Sequence, residues 1–306
     1  MRMKTIKSGL FVTLLSLSAC SEAGMQQINQ LGGSLIGQPG IVSSSQASAL
    51  FKFGESANKG LTKLSEEEEY YLGRGVSASI FAKYSPVRDD RLHQYLTKVL
   101  AVLVANSDRP ETFGGYYVTV LDTSEVNALS APGGFVFISR GFLKLINDED
   151  ELASVLAHEV SHIVKGHGLE AISDANLTEA LTILGKEAAN SQAQGIAQEL
   201  TSTFGDSISD ITQTLLTKGY SRSQEFEADE YALHLLVRSG YDAQASKNVL
   251  TALGEQTQSG GWYSTHPEAA DRIEEVESSL KDFSSTPPRN ARDIRLKRFQ
   301  KAMGRS

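Results

Sequence analysis

The pentapeptide His158-Glu159-Val160-Ser161-His162 constrains this 306-residue chain more than any other stretch. In an α-helix, side chains four residues apart lie on one face, so His158 and His162 could bind one metal ion. Glu159 would then lie beside that ion. Zinc can lower the pKa of water to about 7, and an adjacent carboxylate can take the proton as the water attacks a carbonyl. The spacing therefore predicts a metal-dependent hydrolase.

The flanking residues predict a capped and largely buried helix from Asp148 to His167. Asp148 can cap this helix together with Glu151, three positions further on. Apolar residues recur at helical spacing, namely Leu152, Val155, Leu156, Val160 and Ile163. Gly166 and Gly168 could end it. The alternative is a helix whose histidines only form hydrogen bonds, but unpaired buried polar groups are costly, which favours a metal.

A catalytic zinc ion usually has three protein ligands and one open position, so a third ligand must lie elsewhere. The metzincin pattern is excluded, because the positions for its glycine and third histidine hold Lys165 and Gly168. In the later segment SRSQEFEAD, Glu225 and Asp229 share one helical face. Glu227 is the rival third ligand, but it lies on another face of the same predicted helix.

Four elements in a fixed order carry a family resemblance across residues 65–280. They are Asn127–Gly134 (NALSAPGG), HEVSH at His158–His162, Ser221–Asp229, and Thr265-His266-Pro267 followed by Arg272. This combination resembles the HtpX and CAAX-prenyl-protease (Ste24-like) family of zinc metallopeptidases, in layout most like its periplasmic BepA and LoiP branch. The resemblance implies an α+β fold: a mainly helical, zincin-type (gluzincin) domain with a small β-sheet beside the HExxH helix.

The resemblance also assigns the central chemistry. It implies one zinc ion per chain, held by His158, His162 and Glu225, with Glu159 as the general base. His167 is interpreted as structural, because its distance from His162 along the sequence is wrong for the same helical face.

Further residues are expected close to the metal. Asp229 is expected to accept a hydrogen bond from a ligand histidine and so fix its orientation. His266 is expected to stabilise the oxyanion or to occupy the open zinc position in a resting state. Arg222 and Arg272 are candidate partners for Asp229 or for the oxyanion, and each is equally well explained as a surface arginine.

A β-rich segment immediately precedes the metal helix. If this predicted strand lies at a sheet edge, it could hold a substrate peptide by strand addition, and an internal strand is equally consistent with the pattern. The residues assigned to substrate binding are Gly134, Phe135, Val136 and Phe137. Tyr116, Val118 and Val120 alternate in the same way and could form its neighbouring strand.

The N-terminus predicts a lipoprotein signal peptide at residues 1–20. A basic start and a short apolar stretch lead to Leu17–Cys20, which resembles a bacterial lipobox. Cys20 is the only cysteine, so it cannot form an internal disulfide. The resemblance implies lipidation of Cys20, and Ser21 favours the periplasmic face of the outer membrane of a Gram-negative cell. Plain secretion is the alternative.

Composition divides the rest of the chain. Residues 21–63 are rich in Gly, Ser and Gln and predict a flexible tether. Residues 64–282 are predicted to form one metallopeptidase domain, and residues 283–306 a linker and basic tail. Expected helices begin after a Ser65 and Glu68 capping box, span Asp89–Ala105, and cover Leu177–Leu184 and Ile196–Leu215 between the metal motifs.

Charge and patterning limit the partners. The net charge of −8 argues against nucleic acid as a partner, and no internal repeat is visible, so the tetratricopeptide repeats of BepA are not expected. Two functions stay open: a lipid-anchored zinc endopeptidase acting on misfolded or unassembled envelope proteins, and a self-inhibited, chaperone-like zinc lipoprotein assisting outer-membrane protein assembly. A nonpeptidase zinc hydrolase is disfavoured by the predicted strand. The substrate class rests on the resemblance, because a fold does not fix a substrate.

Overall fold

A computed structural model of the protein describes residues 64–171, 207–217, 219–255, 262–266, 269–283 and 287–304. Cys20, the predicted tether and the helix predicted at Leu177–Leu184 lie outside the described residues. The described helices are α1 (Glu66–Lys83), α2 (Asp90–Ala105), α3 (Arg140–Leu145), α4 (Glu149–Lys165), α5 (His167–Glu170), α6 (Ser207–Thr217), α7 (Arg222–Arg238), α8 (Gln244–Gly254), α9 (Trp262–Thr265), α10 (Ala269–Ser279) and α11 (Arg289–Met303), with a 3₁₀ turn at Leu280–Asp282. Among these helices, none is long and apolar enough to span a bilayer.

A three-stranded sheet accompanies the helices, which confirms the predicted fold class. Its strands are β1 (Tyr117–Leu121), β2 (Ala128–Ala131) and β3 (Phe135–Ser139), in the order β1-β3-β2. Strand β3 pairs in parallel with β1 and antiparallel with β2. The predicted pairing of the two alternating segments is therefore confirmed.

Of the two positions left open for β3, edge or internal, the structure shows the internal one. Both of its sides are occupied, because β1 pairs along one side and β2 returns along the other. The side chains of Val136 and Phe137 are buried, and Phe135 stacks on Tyr117 across the sheet. The Gly134 carbonyl accepts a hydrogen bond from the Tyr117 backbone at 2.9 Å. These four residues cannot offer backbone groups to an added strand.

The sheet separates two groups of helices, as the alternation of its side chains dictates. On one face, Val136 and Ile138 join the core that contains the apolar side of α4. On the other face, Phe137 packs with Leu72 and Ile80 of α1. Strand β2 therefore lies directly beside α4.

Helix α4 has the limits that its sequence predicted. The Asp148 side chain accepts a hydrogen bond from the Glu151 backbone at 2.8 Å, and Gly166 ends the helix with φ = +77°. A residue with a side chain adopts this left-handed conformation only at a cost, so glycine suits the position.

The C-terminal segment, predicted as a linker and basic tail, forms helix α11, which packs against the core. Phe299 of α11 is fully buried in the main core. Arg298 and Arg295 pair with Glu149 and Asp150, two buried acids in the first turn of α4. Helix α11 thus neutralises carboxylates that would be costly to bury alone.

Candidate metal centre

Four buried side chains from three parts of the chain meet at the centre of the molecule. His158 and His162 project from α4, Glu225 from α7, and His266 from the turn after α9. One potential ligand atom from each residue lies within 4.8 Å of the corresponding atoms of the others. The structure therefore brings together the three ligands expected from the sequence and adds His266 as a fourth donor.

The spacing of these donors fits a zinc ion. The Nε2 atoms of His158 and His162 are 3.0 Å apart, and each lies 3.6 Å from an oxygen of Glu225. Zinc bonds of about 2.0–2.1 Å at tetrahedral angles separate neighbouring ligand atoms by about 3.3 Å. Two imidazoles and a carboxylate are also ligand types that zinc prefers.

The charge state of the histidines supports the same fit. Burial lowers the pKa of His158, and burial with neighbouring positive charge lowers that of His162 well below its usual value, so both rings are neutral at neutral pH. Asp229 accepts the Nδ1 proton of His158 at 2.9 Å. The His158 Nε2 lone pair is therefore directed at the cluster, where a cation would satisfy it.

Arg272 is the permanent cation of this centre. It is 1% exposed, and it donates from Nε and Nη2 to the two oxygens of Asp229, each at 2.7 Å. Its Nη1 lies 2.7 Å from Glu225 Oε2. Burial alone would raise the pKa of Asp229, but Arg272 and His158 hold it well below its usual range. Burial raises the pKa of Glu225 to about 7 in spite of Arg272.

Glu159 lies beside the donors with both carboxylate oxygens buried and without a hydrogen-bond partner among the described residues. Burial raises its pKa to about 8, while the hydroxyl of Ser130 on β2 opposes the rise. Ser130 was not predicted as a site residue, and its position within NALSAPGG was the one feature that pointed to it. A carboxyl group that titrates near neutrality suits proton transfer in either direction.

Two aromatic residues that sequence reasoning missed hold the histidine rings in place. Tyr220 stacks on His162 with ring centres 3.8 Å apart. Trp262, the only tryptophan of the chain, stacks on His266 at 3.9 Å. Tyr220 directly precedes the capping residue Ser221, which was the one sequence feature that could have drawn attention to it.

Several predicted site residues lie elsewhere. Arg222 is largely exposed and pairs with Asp271 at 3.0 Å, so only Arg272 of the two candidate arginines reaches the site. Glu227 points to the surface, where it pairs with Lys165 at 2.9 Å, and it is not placed as the third ligand. His167 lies outside the donor cluster, but its ring contacts His162, a contact that the sequence spacing did not predict.

A small cavity of about 10 Å³, space for about one water molecule, lies beside the centre. It lies between β2 and the end of α4, and its lining includes Ser130, Pro132, His162, Gly168 and Tyr220. The donor cluster is therefore buried and borders only a small space in this conformation.

Comparison with known families decides the assignment. The sequence profile described as Peptidase family M48 matches residues 88–280, which include every donor of the centre. This chain belongs to peptidase family M48. Family membership confirms the resemblance and supports a metal-dependent peptidase, and it accounts for a donor set suited to a divalent metal.

Curated M48 relatives are similar at modest identity. The beta-barrel assembly-enhancing protease of Escherichia coli (strain K12) is 26% identical over 232 residues, which cover 76% of this chain and 45% of the relative. The mitochondrial metalloendopeptidase OMA1 of Schizosaccharomyces pombe is 30% identical, covering 61% of this chain and 52% of the relative. Metalloprotease YcaL of E. coli is 30% identical, covering 52% and 59%. This M48 chain thus spans about half the length of these relatives.

Proposed function

We propose that this M48 chain is a zinc-dependent endopeptidase (EC 3.4.24 type) that hydrolyses peptide bonds in misfolded or unassembled envelope proteins. The observation that carries the proposal is the buried set of His158, His162 and Glu225 with the unpartnered carboxylate of Glu159 beside it. This arrangement combines a metal-binding set with a proton acceptor. Hydrolysis of an amide needs both.

The roles follow from the contacts. His158, His162 and Glu225 would hold the ion, and bound zinc supplies Lewis acidity that polarises a carbonyl and acidifies water. Glu159 takes the proton of the attacking water and passes it to the leaving amide nitrogen. Asp229 fixes the ring of His158 through its Nδ1 proton, and Arg272 in turn fixes Asp229.

Strand β2, and not β3, is the better candidate for binding a substrate peptide. Within the described residues β2 pairs with β3 alone, but its residues are buried, so its other edge could take an added strand only after the groups that cover it move aside. The side chain of Ser130 on this strand lies beside Glu159. An extended peptide that adds to the edge of β2 would run past the base, and strand addition recognises the backbone of many sequences. This edge supports a polypeptide substrate over a small molecule.

The cellular context rests on the relatives and on the N-terminal sequence. One relative's name refers to β-barrel assembly, which favours envelope proteins as substrates. Leu17–Cys20 favours a lipid anchor at Cys20 on the periplasmic face of the outer membrane. We infer that the enzyme works at that membrane, on proteins that have failed to assemble.

The test compares Glu159→Gln with the parent, using purified protein in detergent and an unfolded model protein as substrate. The variant should cleave about 10² to 10⁴ times more slowly, the usual loss for a general base. Both proteins should bind one zinc ion per chain. Glu230→Gln, an exposed acid on α7, is the matched control and should cleave like the parent. Full activity in Glu159→Gln would refute the assigned role.

A second candidate function is the self-inhibited, chaperone-like zinc lipoprotein, and the position of His266 favours it. His266 Nδ1 lies 2.9 Å from Glu225 Oε1 and 3.3 Å from His158 Nε2, so it can act as a fourth ligand. Its Nε2 lies 3.5 Å from Glu159. A ring held there by Trp262 leaves little room for water or substrate. Under this candidate the parent binds zinc without cleaving, and His266→Ala gains activity. A His266→Ala variant no more active than the parent would refute self-inhibition.

A further inference from the structure

His167 begins α5 immediately after the left-handed Gly166 that ends α4. The turn at Gly166 redirects the chain, so His167 Nδ1 comes to lie 2.9 Å from His162 Nδ1. His167 is 1% exposed, and its ring lies 5.1 Å from that of His162, centre to centre. The contact uses the nitrogen of His162 that faces away from the donor cluster.

Glu227 contacts the other nitrogen of His167. His167 Nε2 lies 3.4 Å from Glu227 Oε2, and Lys165 Nζ lies 2.9 Å from Glu227 Oε1. Glu227 is an exposed carboxylate paired with Lys165, so it serves as the hydrogen-bond acceptor toward His167. Nε2 of His167 must therefore be the donor.

These contacts then indicate which ring nitrogen of each histidine donates and which accepts. With its donor hydrogen on Nε2, His167 presents Nδ1 as the acceptor for the hydrogen on His162 Nδ1, the two nitrogens being 2.9 Å apart. His162 in turn has a bare Nε2, directed at the donor cluster. His158 differs, because its Nδ1 proton goes straight to the carboxylate of Asp229. Histidine ligands of metals commonly donate their second N–H to such an acceptor.

We propose that His167 is a positioning residue for His162: it accepts the Nδ1 proton, fixes the ring that binds the metal, and is itself oriented by Glu227. The proposal rests on the proposed function, because it takes His162 as a zinc ligand. Tyr220 covers the face of the same ring, so hydrogen bond and stacking together leave His162 one orientation.

The experiment measures the zinc Kd of the full chain in detergent by competition with a chromophoric chelator, together with the absorption spectrum of the cobalt-substituted protein. His167→Leu removes the acceptor, and His167→Asn retains an acceptor oxygen close to the position of Nδ1. His167→Leu should bind zinc about 10 to 100 times more weakly and shift the cobalt spectrum. His167→Asn should recover most of the affinity. His93→Leu, the loss of an exposed histidine, is the control and should match the parent.

Two results with a folded His167→Leu would overturn the proposal. The first is an unchanged zinc Kd. The second is an equal loss of zinc affinity in the Leu and Asn variants, which would mean that packing and not the hydrogen bond matters. Should His167→Leu not fold, Glu227→Ala at the surface decides, with Glu230→Ala as its control. An unchanged Kd and cobalt spectrum in Glu227→Ala would equally contradict the proposal. A parent that binds no zinc would refute the proposed function itself. If the parent binds zinc tightly, the zinc affinities of the variants alone decide the role of His167.

Discussion

Replacing Arg272 with methionine should strongly destabilise the protein when it is free of metal. The guanidinium group contacts Asp229 and Glu225 at 2.7 Å, and all three side chains are buried. Methionine keeps much of the volume against Trp262 but removes the charge, so two carboxylates remain without their cation. Removing one partner of a buried ion pair costs about 3–5 kcal/mol.

This magnitude is large enough to measure by thermal unfolding. For a domain of this size, 1 kcal/mol corresponds to about 2–4 °C, so the Tm of Arg272→Met with chelator present should fall by about 6–20 °C. Zinc should raise the Tm of the variant more than that of the parent, because a divalent cation would neutralise the same carboxylates. The double variant Asp229→Asn/Arg272→Met should recover part of the loss, since both partners of the pair are then neutral.

Arg222→Met is the matched control for this experiment. It makes the same substitution in an exposed pair with Asp271, which should change the free energy of unfolding by about 0–1 kcal/mol. If Arg272→Met were no more destabilising than Arg222→Met, the buried ion cluster would not contribute as its geometry indicates.

Further predictions concern packing and helix ends, each checked by urea unfolding. Gly73→Ala should destabilise the protein by about 1–3 kcal/mol, because the new Cβ would lie 1.9 Å from the Pro132 carbonyl oxygen, and this clash outweighs the helix preference of alanine. Gly254→Ala is the control: no atom lies nearer than 4.0 Å to its new Cβ, so it should be neutral or stabilising. Phe299→Ala should cost about 3–5 kcal/mol, and a cost below about 1 kcal/mol would show that α11 does not pack in the core. Ser221→Ala should cost about 1 kcal/mol by removing the cap of α7, and an unchanged stability would contradict that role.

Sequence predicted the features that depend on neighbouring residues. Helix α4 could be predicted because Asp148 caps it, its apolar residues follow the helical period, and Gly166 ends it. The capping box of Ser65 with Glu68 likewise starts α1 where expected. The two histidine ligands also follow from local spacing, since His158 and His162 are four residues apart on one helix, whereas the choice of Glu225 came from the family resemblance.

Features that depend on distant pairing could not be predicted. Two alternating segments predict strands, but nothing local in β3 shows that it has neighbours on both sides. Arg222 and Arg272 have the same chemistry in the sequence, and only the packing of α10 against α7 decides which one is buried. The contact of His167 with His162 was not predicted because helical spacing assumes a continuous helix, whereas the positive φ at Gly166 redirects the chain toward His162.

Two groups of buried carboxylates differ in how their negative charge is balanced, and the difference bears on metal binding. The first turn of α4 buries Glu149 and Asp150 against the arginines of α11, so these carboxylates are neutralised by the protein itself. The centre differs, because Glu159, Glu225 and Asp229 share Arg272 as their permanent cation among the described residues, and burial keeps the surrounding histidines neutral. If all three carboxylates are ionised, they carry three negative charges against the one positive charge of Arg272, and a divalent ion would balance the difference. The raised pKa values of Glu159, about 8, and Glu225, about 7, have the same origin, since both carboxylates are buried with too little positive charge. Divalent charge and ligand geometry therefore converge on the same position between α4 and α7.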